Sequence, residues 1–432
     1  MSTPITPDAA LEPAQDTPAA RRWRWRIVFM LLLVSTINYL DRGTLAVVIP
    51  RLRGLFHISD AQYASVVQSF FYAYAAMYAL SGWIMDRLGP RLGLGLSAAW
   101  WSFAAAGNGL VQGILGLRVF QFLLGIGEPA MFPAALKFAQ ERFPPRQRAL
   151  AMGVFNAGTS LGGTLAPPLV VFLMLRYSWR IAFFSVGMVG LLWVCGWWWV
   201  NRAGAMTRAG VREIERSPEA ASNAPRPGWG AMMRHPQVWG VLAGRACSDP
   251  AWYFYLFWLP TYLYKVRHFS LVAIGAYGAL VPALASAVGN VAGGWLSGVL
   301  TRFVSPIQAR KLVMLITVAA MPLIYFGTHS ASNTVVIAAI SLATWMHQSW
   351  SVNLQTLPAD SCPAAVSGRV AGLSGTAGTL ASIPFTTFIG WAASQHHYNW
   401  IFLAATSIYP IGWILVSILV RKRWDDASLT VA

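Results

Sequence analysis

Acidic residues are scarce. Asp and Glu number 15 in 432 residues, and charged residues of all kinds make up 11%, under half the share that a soluble domain carries. With 56% hydrophobic residues and a positive mean hydropathy, the chain reads as a polytopic membrane protein. Cysteine is nearly absent too. Cys195, Cys247 and Cys362 stand in separate apolar stretches, with no CxxC and no paired His spacing, so neither a disulfide framework nor a zinc site is indicated, and no cofactor is expected. A continuous basic patch is also missing. Despite a net charge of +17, the basic residues sit at the ends of apolar runs rather than among interleaved aromatics, which excludes nucleic acid as a partner and makes them reporters of topology.

Long apolar runs are what the chain has in quantity. Those able to span fall near residues 25–50, 61–85, 91–112, 114–141, 147–175 and 180–201, and again near 237–263, 271–300, 310–328, 333–357, 366–393 and 399–421. The expected fold is therefore all-α, with twelve transmembrane helices as two six-helix bundles. Residues 1–22 read as a polar tail, 23–201 as the first bundle, 202–235 as a charged, Pro-rich linker, 236–422 as the second bundle and 423–432 as a short tail. Arg21, Arg22, Arg24 and Arg26 precede the first run in the manner of a signal peptide, but that run is too long and lacks a small-residue cleavage site, so a retained helix is expected. Placing the N-terminus inside puts roughly twenty Lys/Arg on the cytoplasmic side against about six outside, with Arg51 and Arg53 as exceptions. Both termini are then cytoplasmic.

The halves repeat weakly. Gly82-Trp83 followed by Arg87 is echoed by Gly294-Trp295 followed by Arg302, and Pro144 with Gly153 by Pro363 with Gly372. Parallel repeats of this kind build transporters that rock about a central site.

The first apolar run contains two opposite charges, Asp41 and Arg42. A bare charge at that depth costs several kcal/mol, so the pair must face a polar cavity or other helices, either as part of an ion or substrate path or as a structural pair in which Asp41 is the counter-charge of Arg42. Of the acids, only Asp41, Glu128 and Asp249 fall well inside expected spans, and Glu128 lies roughly 21 Å along its helix. Two carboxylates near one depth suit proton coupling, and the planar guanidinium of Arg42 suits an organic anion. Asp249 stands one turn after Arg245, as apt for structural neutralisation as for function. Lys137 and Glu141 read as a local pair of the same spacing. Trp252 opens an aromatic run that could supply a gate or a wall for a sugar, or simple packing. Thr344, His347, Gln348, Ser351 and Gln355 make a polar stripe fit for polyhydroxy recognition, with His347 itself a packed, neutral residue.

Several stretches carry a resemblance. Gly82-Trp83-Ile84-Met85-Asp86-Arg87-Leu88-Gly89-Pro90-Arg91 resembles the loop between helices two and three of the major facilitator superfamily, and implies a cytoplasmic gate loop of Gly82, Asp86, Arg87, Gly89 and Arg91. Asn38-Tyr39-Leu40-Asp41-Arg42, Gly125-Ile126-Gly127-Glu128-Pro129 and Phe155-Asn156-Ala157-Gly158-Thr159 resemble its anion:cation symporter family. The stretches Asp249 to Pro260, Gly289-Asn290 to Gly294-Trp295, and His347 to Asn353 are similar to the hexuronate-transporter branch. The resemblance implies the major facilitator fold, Asp41 and Glu128 as proton-coupling acids, and a substrate cavity of Arg42, Tyr74, Asn156 and Thr159, with Gln121, Trp252, Asn290, His347, Gln348 and Ser351 added. Gln121 stands where the family usually has arginine, and Arg118 lies one turn nearer the outside.

The expected function is proton-coupled import of an organic anion, a hexuronate first, across a bacterial inner membrane, by a monomer whose partners are substrate, protons and lipid. Another organic anion (aldonate, aldarate or aromatic carboxylate) or anion exchange is the alternative within transport. An integral-membrane transferase or sensor would need a catalytic cluster or a folded soluble domain, and the chain offers neither, so no enzyme is expected.

Overall fold

In the computed structural model the described residues are 18–58, 60–206, 228–255 and 280–424 except 396, with scattered positions between 256 and 279. Most of the expected tails and linker, and Phe257 and Trp258 of the aromatic run, lie outside them.

The described elements are all helical. α1 (Pro18–Phe56) is followed by α2 (Asp60–Gly107), which carries two passes. They divide at Gly89, whose φ of 75° is left-handed backbone that glycine adopts without strain, followed by Pro90, which cannot donate to the preceding turn. The fourth pass is α3 (Ile114–Gly127) continued by α4 (Met131–Arg142), and α5 (Pro145–Arg176) and α6 (Trp179–Met206) complete the first half. A helical turn at Trp229–Met232 precedes α7 (Pro236–Tyr253). Then come α8 (Leu280–Leu300), α9 (Pro306–Thr328), α10 (Asn333–Ser361), α11 (Ala364–Ser394) and α12 (Tyr398–Leu419). Proline at the first helical position starts α5, α7 and α9, where its missing N–H costs nothing, and Ser305 closes a capping box with Gln308.

Seven helices among the described residues are long and apolar enough to cross a membrane by length and composition alone. α2, α7, α10 and α11 fall outside that set. α10 shows why: His347, Gln348, Ser351 and Asn353 are all buried, so it carries polar groups inward where a lipid-facing helix would carry Leu.

Each half has its own apolar core. One gathers Ile27, Trp101, Phe155 and Trp197, the other Phe254, Trp350, Phe402 and Tyr409. Between them the repeated glycines pair crosswise. Gly82 of α2 lies against the backbone of Gly368 in α11, and Gly372 against the carbonyl of Tyr78; Gly294 of α8 lies against the carbonyl of Ala149 in α5, and Gly153 against that of Asn290. A methyl group at any of these would collide with main chain, so the two backbones meet directly.

The described start of α1, the α4–α5 junction, the α10–α11 junction and Trp424 share one face, rich in arginine: Trp25 packs on Phe143, and the Trp424 N–H donates to the carbonyl of Ser361. Two charge clusters cross the seam on this basic face. Asp86 accepts from Lys137 Nζ at 2.9 Å and from the Arg369 backbone and Nε at 3.1 and 3.3 Å. Asp360 accepts from Arg148 at 2.9 Å and from the fully buried Arg310 at 3.0 Å. Lys137 thus belongs to Asp86 rather than to Glu141. Its ammonium is buried against the seam while Glu141 is exposed, so the helical spacing does not decide the pair. Lys137 also donates to the carbonyl of Ala364, and Arg310 to that of Pro145 and to the Ser297 hydroxyl. Asp360→Asn keeps the shape but leaves Arg310 buried without its counter-charge, and should lower stability by about 3 kcal/mol. Thermal unfolding of the purified protein measures this, and an unchanged midpoint would show that Arg310 does not depend on the carboxylate.

Candidate functional site

Above the closed basic face, polar side chains from both halves gather in the middle of the molecule. Glu128 is placed there by a break in its helix. Pro129 has no N–H to continue the ladder, so α3 tightens into a 3-10 turn over Glu128–Ala130 before α4 resumes. Gly125 and Gly127 let this turn press against the carbonyl of Phe70, the ring of Trp100 and the backbone of Trp101.

Glu128 is fully buried and its Oε2 accepts from Arg42 Nε at 2.6 Å. The guanidinium is boxed by aromatic faces, Tyr74 at 4.7 Å, Tyr39 at 5.0 Å and Phe70 at 5.5 Å, which suits a cation removed from water. Arg42 remains 26% exposed, and its Nη2 has no hydrogen-bond partner among the described residues. The expected pairing of Arg42 with Asp41 is therefore replaced by a pairing with Glu128. Neighbours in a helix point about 100° apart, so Asp41 cannot share the direction of Arg42. Asp41 is buried, and neither of its oxygens meets a hydrogen-bond partner among the described residues.

The second half supplies another ion pair. Arg245 Nη2 meets Asp249 Oδ2 at 2.9 Å within α7, and that carboxylate rests where any side chain on Gly378 of α11 would stand. Arg245 Nε is buried without a partner among the described residues. Tyr78 of the first half lies against Gly375, one turn before Gly378 on α11, so the halves meet beside this pair. Trp252 stacks on His347 with centroids 5.1 Å apart and planes 10° apart, and His347 Nδ1 is 2.6 Å from the Tyr409 hydroxyl. Asn156 of α5 donates to Gln355 Oε1 at 2.8 Å, and Gln355 donates in turn to Ser351 at 2.9 Å, a chain that joins the halves. Gln348 is buried beside it on α10.

The remaining expected residues stand elsewhere or are turned inward. Gln121 donates to Asn108 in the first half rather than reaching the Arg42 cluster, and Arg118 is held by Ser65 at 2.9 Å. Asn290 is fully buried at the seam, bonded to the carbonyl of Ser286, and Thr159 donates to the carbonyl of Asn156 on its own helix. In the loop, Asp86 and Gly82 meet the other half, whereas Arg87 lies over Trp83 and the Arg91 carbonyl accepts from Trp197, both within the first half. Tyr409, the partner of His347, carried no signal in the sequence because a lone tyrosine in a span reads as packing. Arg369 and Asp360 were likewise hidden at helix ends.

The family model described as Major Facilitator Superfamily matches residues 31–386. The chain is 32% identical over 314 residues to the galacturonate transporter of Dickeya chrysanthemi, covering 71% of this chain and 90% of that one. It is 28% identical over 412 residues to the hexuronate transporter of Escherichia coli (strain K12), covering 93% and 94%. The solved structure of the proton:xylose symporter XylE bound to 6-bromo-6-deoxy-D-glucose superposes with a TM-score of 0.75 at 15% identity, over 95% of this chain and 99% of that one. The human organic anion transporter MFSD10 superposes at 0.65 and 17%, over 93% and 100%. Two six-helix halves meeting at glycine seams, with ion pairs held between them, thus have the architecture of the Major Facilitator Superfamily, a family of membrane transporters, to which this chain belongs.

Proposed function

We propose that the protein imports a sugar acid, a hexuronate first, by proton-coupled symport. Most of the relatives' named cargoes are sugar acids, galacturonate, hexuronates, L-galactonate and galactarate or D-glucarate, which share a carboxylate on a polyhydroxy chain; sulfoacetate, the cargo named for one other, shares only the acid groups. A sugar acid needs one cation and several neutral hydrogen-bonding groups. Arg42, with 26% of its side chain exposed, offers a guanidinium for the carboxylate, Gln348, Ser351 and Gln355 face the hydroxyls from the other half, and Trp252 gives a flat wall for the ring.

The observation that carries the coupling is the lone carboxyl of Asp41. Among the described residues the central set holds two guanidiniums and three acids: Arg42 is matched by Glu128 and Arg245 by Asp249, which leaves Asp41 over. With Asp41 ionised the cavity already bears one excess negative charge, and an arriving carboxylate would make it two. A buried charge without a partner is too costly to keep, so anion entry draws a proton onto Asp41. The substrate and the proton then cross together. Outward of the closed seam the substrate enters; when the Asp86 and Asp360 clusters part, it leaves on the basic face. The arginine bias makes that face cytoplasmic, with both termini there and the plasma membrane of a bacterium as the setting.

Uptake into proteoliposomes against galacturonate, glucuronate, galactonate and glucarate, with and without an inward proton gradient, tests this reading. Gradient-stimulated accumulation of a hexuronate is expected, and equal rates without the gradient would leave exchange in its place. Arg42→Lys keeps the charge but loses the planar fork and the aromatic box, and should weaken substrate binding by ~1–3 kcal/mol. Wild-type affinity in that variant would move the anion clamp elsewhere. Asp41→Asn cannot ionise, so it should lose gradient-driven accumulation while keeping substrate counterflow. Glu128→Gln also frees Arg42, and should impair both. Accumulation that survives in Asp41→Asn would remove Asp41 from the coupling. For topology, cysteines replacing Ser222 and Thr430 should resist an impermeant maleimide in intact cells and react after lysis; labelling in intact cells would reverse the orientation.

A further inference from the structure

On the basic face, away from the central site, lie cations that the gate clusters do not use. Arg21, Arg22 and Arg26 are exposed on the first turns of α1, and Arg302 is exposed at the end of α8. No described carboxylate pairs with any of the four, although on the same face Arg148 and Arg310 meet Asp360 and Arg369 meets Asp86.

These free cations border two adjoining cavities. The larger, about 640 Å³, is lined by Arg21, Arg22 and Arg26 at one end and by Trp25, Phe29 and Trp199 along its length. Phe29 is 58% exposed and Trp199 73%, on the outer surface between α1 and α6, so the apolar wall opens toward the hydrocarbon. The smaller cavity, about 370 Å³, shares Arg21 and continues across the seam to Arg146 of α5 and to Trp295 and Arg302 at α8. Among the described residues neither is lined by an acidic one. The positive end of the α5 dipole adds to the field there.

An apolar cleft opening sideways, with arginines over its polar end and indoles at its rim, fits a molecule that is an anion at one end and hydrocarbon along the rest. We propose that an anionic glycerophospholipid binds here, one acyl chain lying in the α1–α6 cleft and the phosphate on Arg21, Arg22 and Arg26. Its headgroup shares the second cavity with Arg146 and Arg302, one from each half, so a bound lipid ties the halves together in the arrangement that closes the basic face. A sugar acid has no acyl chain to fill the cleft, so this site is separate from the transport cavity.

The test uses the full-length protein in mixed micelles with phosphatidylglycerol or phosphatidylcholine of identical acyl chains, and reads retained lipid by native mass spectrometry. Wild type should retain phosphatidylglycerol preferentially, with about a fivefold loss of preference for each arginine removed. The variant Arg21→Gln/Arg22→Gln/Arg26→Gln should lose the preference, while Arg176→Gln, on the opposite face, should keep it. Substrate counterflow by each variant confirms folding. Added inorganic phosphate should not displace the lipid, since it lacks the chain. Equal retention of both lipids by wild type, or an unchanged preference in the triple variant, would overturn the proposal. So would a preference that appears only after Glu213→Gln/Glu215→Gln, which would assign the cleft to the linker.

Discussion

A charge inside hydrocarbon must be answered by another charge, and the shortage of acids makes that demand the organising constraint here. With 15 acidic residues against 32 basic ones, carboxylates are shared. Asp86 serves Lys137 and Arg369, and Asp360 serves Arg148 and Arg310. In the middle the pairing is one to one, Glu128 with Arg42 and Asp249 with Arg245. Asp41 stands out against this economy.

Depth separates the two kinds of ion pair. In the transport cycle proposed above, those on the basic face would lose their partners as the halves part, but water would then reach them and return much of what the broken bonds cost, so they would serve as a reversible latch. The central pairs have no such substitute until a polar substrate arrives. The glycine seams set the geometry of the latch, because main chain meeting main chain at Gly82 and Gly368, and at Gly294 and Ala149, leaves no side chain to cushion a partial opening. The crosswise pairing of repeated motifs gives both seams the same construction.

Much of this was legible in the sequence. The apolar runs located the passes, the repeat of Gly82-Trp83 as Gly294-Trp295 pointed to two related halves, and Arg42 and Glu128 stood out as charges where charges are costly. Most helix bounds moved by only a few residues, whereas α1 runs six or seven residues beyond its expected span at either end and α7 closes at Tyr253. What could not be read was who answers whom. Arg42 was matched to its neighbour Asp41, and Lys137 to Glu141 one turn away, because spacing along the chain is all that a sequence offers. In the structure the partners lie 86 and 51 residues distant. Gln121, expected in the cavity, is bonded to Asn108 instead.

The sequence by itself determined that this chain enters a membrane and how many times it crosses, because transfer from water to hydrocarbon is a sum over local residues. Only the tertiary structure decided which charges pair, which carboxyl is left over and which arginines face lipid. Those outcomes depend on helix rotation and on neighbours far away in the chain, and a turn of 100° per residue is enough to give adjacent Asp41 and Arg42 different surroundings.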